Sequence, residues 1–316
     1  MEQEQLVKVF KTAVLARRFE AKIVELAMAG ELAPSLHVGA GHEVAQIAAI
    51  QALNSDDYIL YGHRGLAYMI ARGVSLADML ADFAGKEGAT SRGKGGIMHV
   101  VDVSKGILGE SGTVGGSFVV SVGVGMALKR KHPGKVVVYF FGDGTSNRGT
   151  FHESLNWAAV QKLPCIYFCE NNGFAVSVPA SRSTAVENIA DRASGYGVPG
   201  LVIDGNDPVA VHEVMEQAVV RARAGQGPTL IEAKVTRLKG HYVADQQEYR
   251  ADRDTVAKKD PLPKLQQMLL DIGVINQRAV ADIEADADRQ IDAAVETVRA
   301  APLLGPEVAL QDLYAE

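Results

Sequence analysis

The sequence predicts an α/β protein built on a doubly wound, mostly parallel β-sheet, with helices flanking it at both ends of the chain. The main evidence is a series of apolar, strand-sized runs at residues 136–141, 165–169, 201–203 and 229–235. Between them, apolar side chains recur at helical spacing at residues 147–161 and 208–224. Strands that alternate with helices are typical of parallel sheets, because each parallel connection needs a long crossover.

The first part of the chain predicts helices and loops. Residues 4–29 repeat apolar side chains at helical spacing up to Gly30, a residue at which helices often end. The loop P-S-L-H-V-G-A-G-H-E leads into a second helix running to Asn54, and a short strand, D-Y-I-L-Y, precedes the loop G-H-R-G. Residues 75–84 are helical again. The segment 85–118 is rich in glycine and lacks periodicity, so we expect a long functional loop there.

The last part of the chain predicts a helical extension. Residues 240–254 are polar and aperiodic, and residues 261–300 have helical periodicity. We therefore expect residues 1–260 to form one ligand-binding domain. Residues 261–316 would then pack on the same domain or at a subunit interface.

The composition excludes several classes of function. The 316 residues carry a formal net charge of −6, which leaves no basic surplus for binding nucleic acid or an anionic membrane. The longest weakly polar stretch, residues 114–128, is too short to span a bilayer. The start, M-E-Q-E-Q-L, lacks the basic head and apolar run of a signal peptide, so we expect a cytoplasmic protein.

The two cysteines, Cys165 and Cys169, lie four residues apart on a predicted strand. Extended geometry separates them by roughly 13 Å on one face, which is too far for a disulfide bond. We expect both to be small, buried core residues.

Two polar side chains end neighbouring strands of the predicted sheet. Asp143 follows one strand and Asn172 follows the next, with one crossover helix between them. Because ligands of open parallel sheets bind beyond the carboxyl ends of the strands, we expect these side chains to converge. Carboxylate and amide oxygens suit Mg²⁺, and Gly142 and Gly144 would allow backbone amides to approach phosphate groups. The pattern predicts a site for a divalent cation and a diphosphate.

Two other phosphate-binding folds fit less well. In a nucleotide-binding oxidoreductase, the third glycine of G-D-G-T-S-N-R-G would have the wrong spacing, and we find no convincing acidic residue for the ribose after a second strand. The stretch G-A-T-S-R-G-K-G at 88–95 nearly fits a P-loop. However, Gly95 stands where a serine or threonine would hold Mg²⁺.

The motifs around this site resemble those of one enzyme family. G-D-G at 142–144 with N-N at 171–172 is similar to the signature of thiamine-diphosphate enzymes. The wider chain, from about residue 8 to about residue 300, resembles the α subunit of the heteromeric 2-oxo acid (pyruvate and branched-chain) and acetoin dehydrogenases. The resemblance rests on R-G-K-G-G-I-M-H at 92–99, G-T-V-G-G at 112–116 and G-D-G-T-S-N-R-G-T-F-H-E-S-L-N at 142–156. The stretches E-N-I-A-D-R-A-S-G-Y-G-V-P-G at 187–200 and I-D-G-N-D at 203–207 indicate the acetoin branch.

This resemblance implies the ligands of a metal ion and a diphosphate. Asp143, Asn172 and the backbone carbonyl of Phe174 would bind Mg²⁺. Most relatives have tyrosine in place of Phe174, a change that a backbone ligand tolerates. Gly144 and Thr145 would contact the diphosphate of the cofactor. The implied fold is a sheet of the thiamine-diphosphate-binding type.

The resemblance also assigns residues to the rest of the cofactor. Arg64 matches the arginine that pairs with the diphosphate, and His63 stands beside the phosphates. Gly112 and Val114 would bind the aminopyrimidine, with the Val114 side chain holding the cofactor in its bent shape. His241, in K-G-H-Y, matches the active-site histidine on the loop that closes over the thiazolium.

The implied activity needs a second chain. A family member of this kind acts on a 2-oxo acid or an acetoin-like ketol and transfers the acyl or hydroxyalkyl unit to a lipoyl arm on an acyltransferase core. The cofactor performs the chemistry, and the glutamate that activates it comes from a β subunit. We therefore expect an α2β2 heterotetramer whose α chain is inactive alone.

Two departures from the family pattern leave the substrate open. Leu66 stands where relatives usually have a histidine, so one hydrogen-bonding group is missing. This change suggests an alternative, a carboligase that transfers the activated aldehyde to a ketone or an aldehyde. Tyr242 replaces the regulatory serine of mammalian pyruvate dehydrogenases, so that phosphorylation is not expected. A non-catalytic scaffold is a further alternative, and the presence of Asp143, Asn172 and His241 argues against it.

Overall fold

The chain folds around a five-stranded sheet in which all strands run parallel. The computed structural model describes residues 1–33, 36–96 and 98–311. The strands of the sheet are β1 (Tyr58–Leu60), β2 (Val137–Gly142), β3 (Cys165–Asn171), β6 (Gly200–Asp204) and β7 (Thr229–Lys234). A separate antiparallel ribbon consists of β4 (Phe174–Ala175) and β5 (Val178–Pro179). The order across the sheet is β1-β2-β3-β7-β6.

Helices cover both faces of this sheet. They are α1 (Gln3–Met28), α2 (Glu43–Gln51), α3 (Leu66–Ala71), α4 (Leu76–Ala84), α5 (Gly116–Lys131), α6 (Gly149–Val160), α7 (Ala180–Ser183), α8 (Pro208–Arg223), α9 (Pro261–Asp271) and α10 (Gln277–Ala300). Alternate side chains of β2 divide the core: Val138 and Phe140 pack with α1, α2 and α8, whereas Tyr139 and Phe141 pack with α5 and α6. The predicted doubly wound parallel sheet is confirmed.

A glycine allows α5 to lie close to β3. A Cβ added to Gly125 would come within 2.5 Å of the Cys165 Sγ atom. Cys165 and Cys169 are both buried and free, in agreement with their prediction as core residues. The helix and the strand therefore fit together only because position 125 carries no side chain.

The structure differs from the sequence prediction at helices α3 and α5, and the short elements β4, β5 and α7 were not predicted. Helix α5 begins at Gly116, inside the segment that we expected to remain a loop up to residue 118, and Gly115 before it has a φ of +86°. Helix α3 was not predicted, because its six residues span less than two helical turns. The remaining predicted strands and helices agree with the structure to within a few residues.

The C-terminal helices pack on the N-terminal helix. Leu265 of α9 and Ile291 of α10 belong to the same hydrophobic cluster as α1. At the surface, Arg18 pairs with Asp288 at 2.8 Å and with Glu284 at 3.0 Å. The division of the chain at residue 260 stays a prediction.

A few predicted features lie outside the described residues. They are residues 34 and 35 of the histidine-containing loop, residue 97 of the R-G-K-G-G-I-M-H motif, and residues 312–316 of the tail. Among the helices of the described part, none is long and apolar enough to cross a membrane.

Candidate active site

A cleft of about 440 Å³ opens beyond the carboxyl ends of β2 and β3, where the sheet topology predicts a ligand. Every residue that the sequence singled out for the site lines this cleft: His63, Arg64, Gly112, Val114, Gly142, Asp143, Gly144, Thr145, Asn172, Phe174 and His241. They come from strand ends, a short 3₁₀ segment and loops that lie far apart in the sequence. The structure thus brings the candidates together, although their roles as ligands stay predictions.

The end of the cleft that is predicted to bind a metal ion contains Asp143 and Asn172. Strands β2 and β3 pair in parallel, with Gly142 opposite Glu170, so the residues that follow them lie at the same edge of the sheet. Asp143 is only 2% exposed, and its Oδ2 atom has no hydrogen-bond partner among the described residues. Burial raises the pKa of Asp143 above its ordinary value. Because an unpaired buried carboxylate oxygen is costly, this atom fits a cation ligand.

A buried network orients the amide group of Asn172. The Asn172 Nδ2 atom lies 3.4 Å from the His42 Nε2 atom, and His42 Nδ1 lies 2.9 Å from Glu170 Oε1. Gln46 Nε2 and Tyr68 Oη donate to the two oxygens of Glu170, at 2.8 Å and 2.7 Å. Since a carboxyl oxygen accepts, His42 donates from Nδ1 and accepts from Asn172 at Nε2. The Asn172 oxygen is therefore left for other partners.

The main chain at Phe174 is held next to Asn172. The Phe174 backbone amide donates to the Asn172 Oδ1 atom at 3.2 Å. Two guanidinium groups lie over the Phe174 ring, that of Arg237 at 5.2 Å and that of Arg250 at 5.4 Å from its centroid. These contacts need an aromatic ring at position 174. Phenylalanine supplies it here, as tyrosine does in most relatives of the predicted family.

Two glycines leave backbone open to the cleft. A Cβ added to Gly142 or to Gly112 would meet no atom within 4 Å, and both residues line the cleft. By contrast, a Cβ on Gly144 would come within 2.6 Å of the Ala175 Cβ atom. Residues 143–147 form a single 3₁₀ turn ahead of α6. The bare backbone at Gly142 and Gly112 fits the close approach of a ligand.

Arg64 supplies a buried positive charge. Its Nη1 donates to the Val38 carbonyl oxygen, and its Nη2 donates to the His241 carbonyl oxygen at 2.9 Å. Among the described residues, no carboxylate lies within ion-pair distance of this guanidinium. Burial, and then the charge of Arg237, lower the pKa of Arg64 to about 10. A buried cation that lacks an acidic partner fits an anionic ligand such as a diphosphate.

Three histidine rings cluster beside Arg64. The ring centroids of His37 and His63 lie 4.4 Å apart, and those of His37 and His241 lie 4.7 Å apart. Burial is the main reason why the pKa of His37 and that of His241 fall to about 4, and the Arg64 charge adds to it. Burial also lowers the pKa of His63 well below its usual range. All three rings are therefore neutral near pH 7 and can donate or accept hydrogen bonds.

Val114 projects an apolar side chain from the loop before α5. It lines the cleft and is 52% exposed. A half-exposed valine beside a cleft can gain stabilisation by packing on a ligand. This position is consistent with the predicted contact between Val114 and the cofactor.

Sequence reasoning missed several polar residues of the cleft. They are His37, His42, Glu110 and Glu170. His37 and His42 flank the glycines of H-V-G-A-G-H-E, and Glu170 begins the motif E-N-N-G-F. Their positions next to glycines and at a strand end were the sequence signal that could have identified them as site residues. Their convergence depends on the tertiary fold.

A small second cavity lies next to the histidines. Leu66 lines it together with His37, His63, Met69 and Glu20. Leu66, where relatives of the predicted family usually have a histidine, thus lines this small cavity and not the main cleft. The Leu66 side chain makes the wall of this cavity more apolar than a histidine would.

Comparison with known proteins identifies the family. The model of the dehydrogenase E1 component family matches residues 11–307. The chain is 39% identical to the α subunit of an acetoin:2,6-dichlorophenolindophenol oxidoreductase of Cupriavidus necator, covering 99% of this chain and 95% of that protein. It is 34% identical to the α subunit of a pyruvate dehydrogenase E1 component of Porphyra purpurea, covering 95% and 90% of the two chains.

A branched-chain relative extends the comparison. Identity to the 2-oxoisovalerate dehydrogenase α subunit of Bacillus subtilis is 34%, covering 99% of this chain and 96% of that protein. Identity to the acetoin relative exceeds identity to the pyruvate and branched-chain relatives. The predicted resemblance is therefore confirmed, and the chain belongs to the family of dehydrogenase E1 components, among their α subunits.

Proposed function

We propose that this chain is the α subunit of a thiamine-diphosphate-dependent dehydrogenase acting on an acetoin-like ketol or a 2-oxo acid. The observation that carries the proposal is the cleft in which Asp143, Asn172 and Arg64 converge. Family membership supports dependence on thiamine diphosphate. The relatives are named dehydrogenases or oxidoreductases, so the carboligase alternative is not favoured.

The residues present fit the cofactor and a metal ion. Asp143, Asn172 and the Phe174 carbonyl would hold Mg²⁺, which would neutralise part of the diphosphate charge. Arg64, Gly144 and Thr145 would hold the diphosphate. The backbone around Gly142 offers room for its close approach. Gly112 and Val114 would bind the aminopyrimidine.

The chain's own catalytic contribution is placed at His241. When bound, thiamine diphosphate supplies a nucleophilic carbon that attacks a substrate carbonyl group and stabilises the resulting negative charge. His241 is held by Asp245, whose carboxylate accepts from the His241 backbone amide at 2.6 Å. As a neutral imidazole next to Arg64, His241 can donate a hydrogen bond to a substrate oxygen or move a proton.

The proposed active enzyme contains a β subunit. Relatives are named α subunits, which implies a second chain. We propose an α2β2 heterotetramer in which the β chain supplies the activating glutamate, and a lipoyl group on an acyltransferase core as the acceptor. A cytoplasmic location and a helical extension at residues 261–316 stay predictions.

Reconstitution with the β chain tests the function. Thiamine diphosphate should bind to the α–β assembly in a Mg²⁺-dependent manner, as measured by isothermal titration calorimetry. The assembly should then oxidise a ketol or a 2-oxo acid with dichlorophenolindophenol or lipoamide as acceptor, while the α chain alone does not. Failure of the assembly to bind thiamine diphosphate would contradict the proposal.

A further inference from the structure

Three histidines that line the cleft, His37, His63 and His241, bring their ring nitrogens together. In this histidine cluster, one nitrogen of each ring lies within 4.8 Å of one nitrogen of each of the others. Three nitrogens at this spacing share a point at most about 2.8 Å away, whereas a Zn–N bond is about 2.0–2.1 Å. Shifts of less than about 1 Å would therefore bring all three nitrogens to bonding distance of one metal ion.

Hydrogen bonds to the main chain hold the three segments of the histidine cluster to one another. Arg64 directly follows His63 in the sequence. Its Nη1 atom donates to the carbonyl oxygen of Val38, the residue after His37. Its Nη2 atom donates to the carbonyl oxygen of His241 at 2.9 Å. The cluster is therefore fixed through its backbone, and ligands that are already in place lose less conformational freedom when they bind a metal ion.

The rings of the histidine cluster have ligand atoms to spare. The Nδ1 atom of His37 is buried and has no hydrogen-bond partner among the described residues. The Nδ1 atom of His63 lies 3.8 Å from the Glu110 Oε1 atom, and metal-binding histidines commonly have a carboxylate beside their second nitrogen. Burial keeps the pKa of all three rings below its ordinary value, so near pH 7 each ring is neutral and has a lone pair for a metal ion.

Two charged side chains next to the histidine cluster act in opposite directions on a bound cation. The Arg64 Nη2 atom lies 3.3 Å from the His241 Nδ1 atom, so a metal ion on His241 competes with this hydrogen bond and is repelled by the guanidinium charge. The Glu110 carboxyl group beside His63 would ionise next to a metal ion and attract it. We therefore expect weaker binding than at a structural zinc site, with a preference for metals that favour nitrogen ligands.

We propose that His37, His63 and His241 form a binding site for a transition-metal ion of the Zn²⁺ type. Imidazole nitrogens suit Zn²⁺, whereas Mg²⁺ prefers oxygen ligands such as those predicted at Asp143 and Asn172. Three protein ligands leave the fourth position of a tetrahedral ion open to the cleft. A metal ion held there would take His241 out of catalysis, so Zn²⁺ should inhibit the enzyme. This consequence, unlike the site itself, rests on the proposed function.

Titration of Co²⁺ into the full-length α chain at pH 7 tests the site without the cofactor. Co²⁺ can replace Zn²⁺ at nitrogen ligands, and its visible absorption is much stronger when it is four-coordinate than when it is six-coordinate. We expect a single equivalent to give the four-coordinate spectrum. Zn²⁺ should then displace Co²⁺, whereas an excess of Mg²⁺ should not. A spectrum of six-coordinate Co²⁺ alone would overturn the proposal.

Four variants assign the Co²⁺ signal to the histidine cluster. His37→Ala and His63→Ala each remove one ligand and should weaken Co²⁺ binding by at least about tenfold. His132→Ala, at an exposed histidine after α5, should bind Co²⁺ like the wild type. Asp143→Asn, which removes a predicted Mg²⁺ ligand, should also bind like the wild type. Circular dichroism establishes that each variant is folded. Wild-type affinity in both folded cluster variants, or loss of the signal in Asp143→Asn, would overturn the proposal.

Turnover by the α–β assembly tests the consequence for His241. At saturating Mg²⁺, Zn²⁺ should inhibit turnover, and a chelator should restore it. His37→Ala should need at least about tenfold more Zn²⁺ for half-maximal inhibition. Equal sensitivity of His37→Ala and the wild type would show that Zn²⁺ does not inhibit through this site. If the assembly failed to bind thiamine diphosphate, the proposed function would be wrong, and the Co²⁺ titration of the α chain would still decide the metal site.

Discussion

Asn172 and His42 are joined side chain to side chain, with Asn172 Nδ2 at 3.4 Å from His42 Nε2. The residues lie on different loops, and Glu170 fixes the other nitrogen of the imidazole. This relationship determines which end of the Asn172 amide is available as a metal ligand. We therefore predict that His42 acts on the proposed Mg²⁺ site through Asn172, without touching the metal ion.

Replacing His42 should weaken metal-dependent cofactor binding. His42→Leu removes both hydrogen bonds of the imidazole and leaves the Asn172 amide held by the Phe174 backbone amide alone, so we expect the Mg²⁺ concentration needed for half-maximal binding of thiamine diphosphate to rise by about tenfold. His42→Gln can still accept from Asn172, and it should restore most of the affinity. Calorimetry on the α–β assembly measures both variants. Equal Mg²⁺ requirements for His42→Leu and the wild type would exclude this role.

Gly125 should be sensitive to the smallest added side chain. Because a Cβ at this position would lie 2.5 Å from the Cys165 Sγ atom, Gly125→Ala should lower the free energy of unfolding by about 1–3 kcal/mol. Gly123, on the same helix, meets nothing within 4 Å, so Gly123→Ala should raise it by about 0.5–1 kcal/mol. Urea unfolding gives both values.

A double variant tests the cause of this loss. Cys165→Ala removes the sulfur atom that a methyl group at position 125 would meet. Gly125→Ala combined with Cys165→Ala should therefore be less destabilised than the sum of the single variants. If the losses in free energy of unfolding were strictly additive, contact with the Cys165 sulfur atom would not be the cause of the Gly125→Ala effect.

Glu20 should make the stability of the chain depend on pH. Burial, and then the charge of Glu43, raise the pKa of Glu20 from 4.5 to about 8, against the Gly39 amide that donates to it. The folded protein then holds a proton that the unfolded chain has already lost, so stability falls as the pH rises from about 4.5 through 8. Glu20→Gln keeps an oxygen that can accept from Gly39 and removes the ionisation.

The measurement compares urea unfolding of the wild type and Glu20→Gln at pH 5.5, 7 and 8.5. We expect the difference between them to grow with pH in favour of Glu20→Gln, by about 1.4 kcal/mol for each pH unit at most. A constant difference over this range would contradict the raised pKa of Glu20.

The sequence predicted the sheet and the strand-end residues because both depend on local patterns. The strand–helix–strand spacing between Asp143 and Asn172 was enough to place them at one edge of a parallel sheet, and β2 and β3 do pair in this way. The short helix α3 carried too few residues for a periodic signal. Helix α5 contains valines and glycines that reduce helical propensity, so its first turn resembled a loop.

The polar network could not be predicted because its members are distant in sequence. His42 and Glu170 are 128 residues apart, and Arg64 and His241 are 177 residues apart. No local pattern indicates that such residues meet. The buried, unpartnered oxygens of Asp143 and Glu110 also become visible only once the surrounding packing is known.

The central claim is that Asp143 binds the metal ion that holds the diphosphate. The test is calorimetric titration of thiamine diphosphate into the α–β assembly at increasing Mg²⁺, for the wild type, Asp143→Asn and the exposed control Asp282→Asn. Wild type and control should gain at least about 100-fold in affinity with Mg²⁺, and Asp143→Asn should gain almost nothing. The unliganded Asp143→Asn chain should keep its thermal stability, because the change removes a buried carboxyl group without a partner at Oδ2. A folded Asp143→Asn assembly that binds the cofactor with the wild-type dependence on Mg²⁺ would contradict the account.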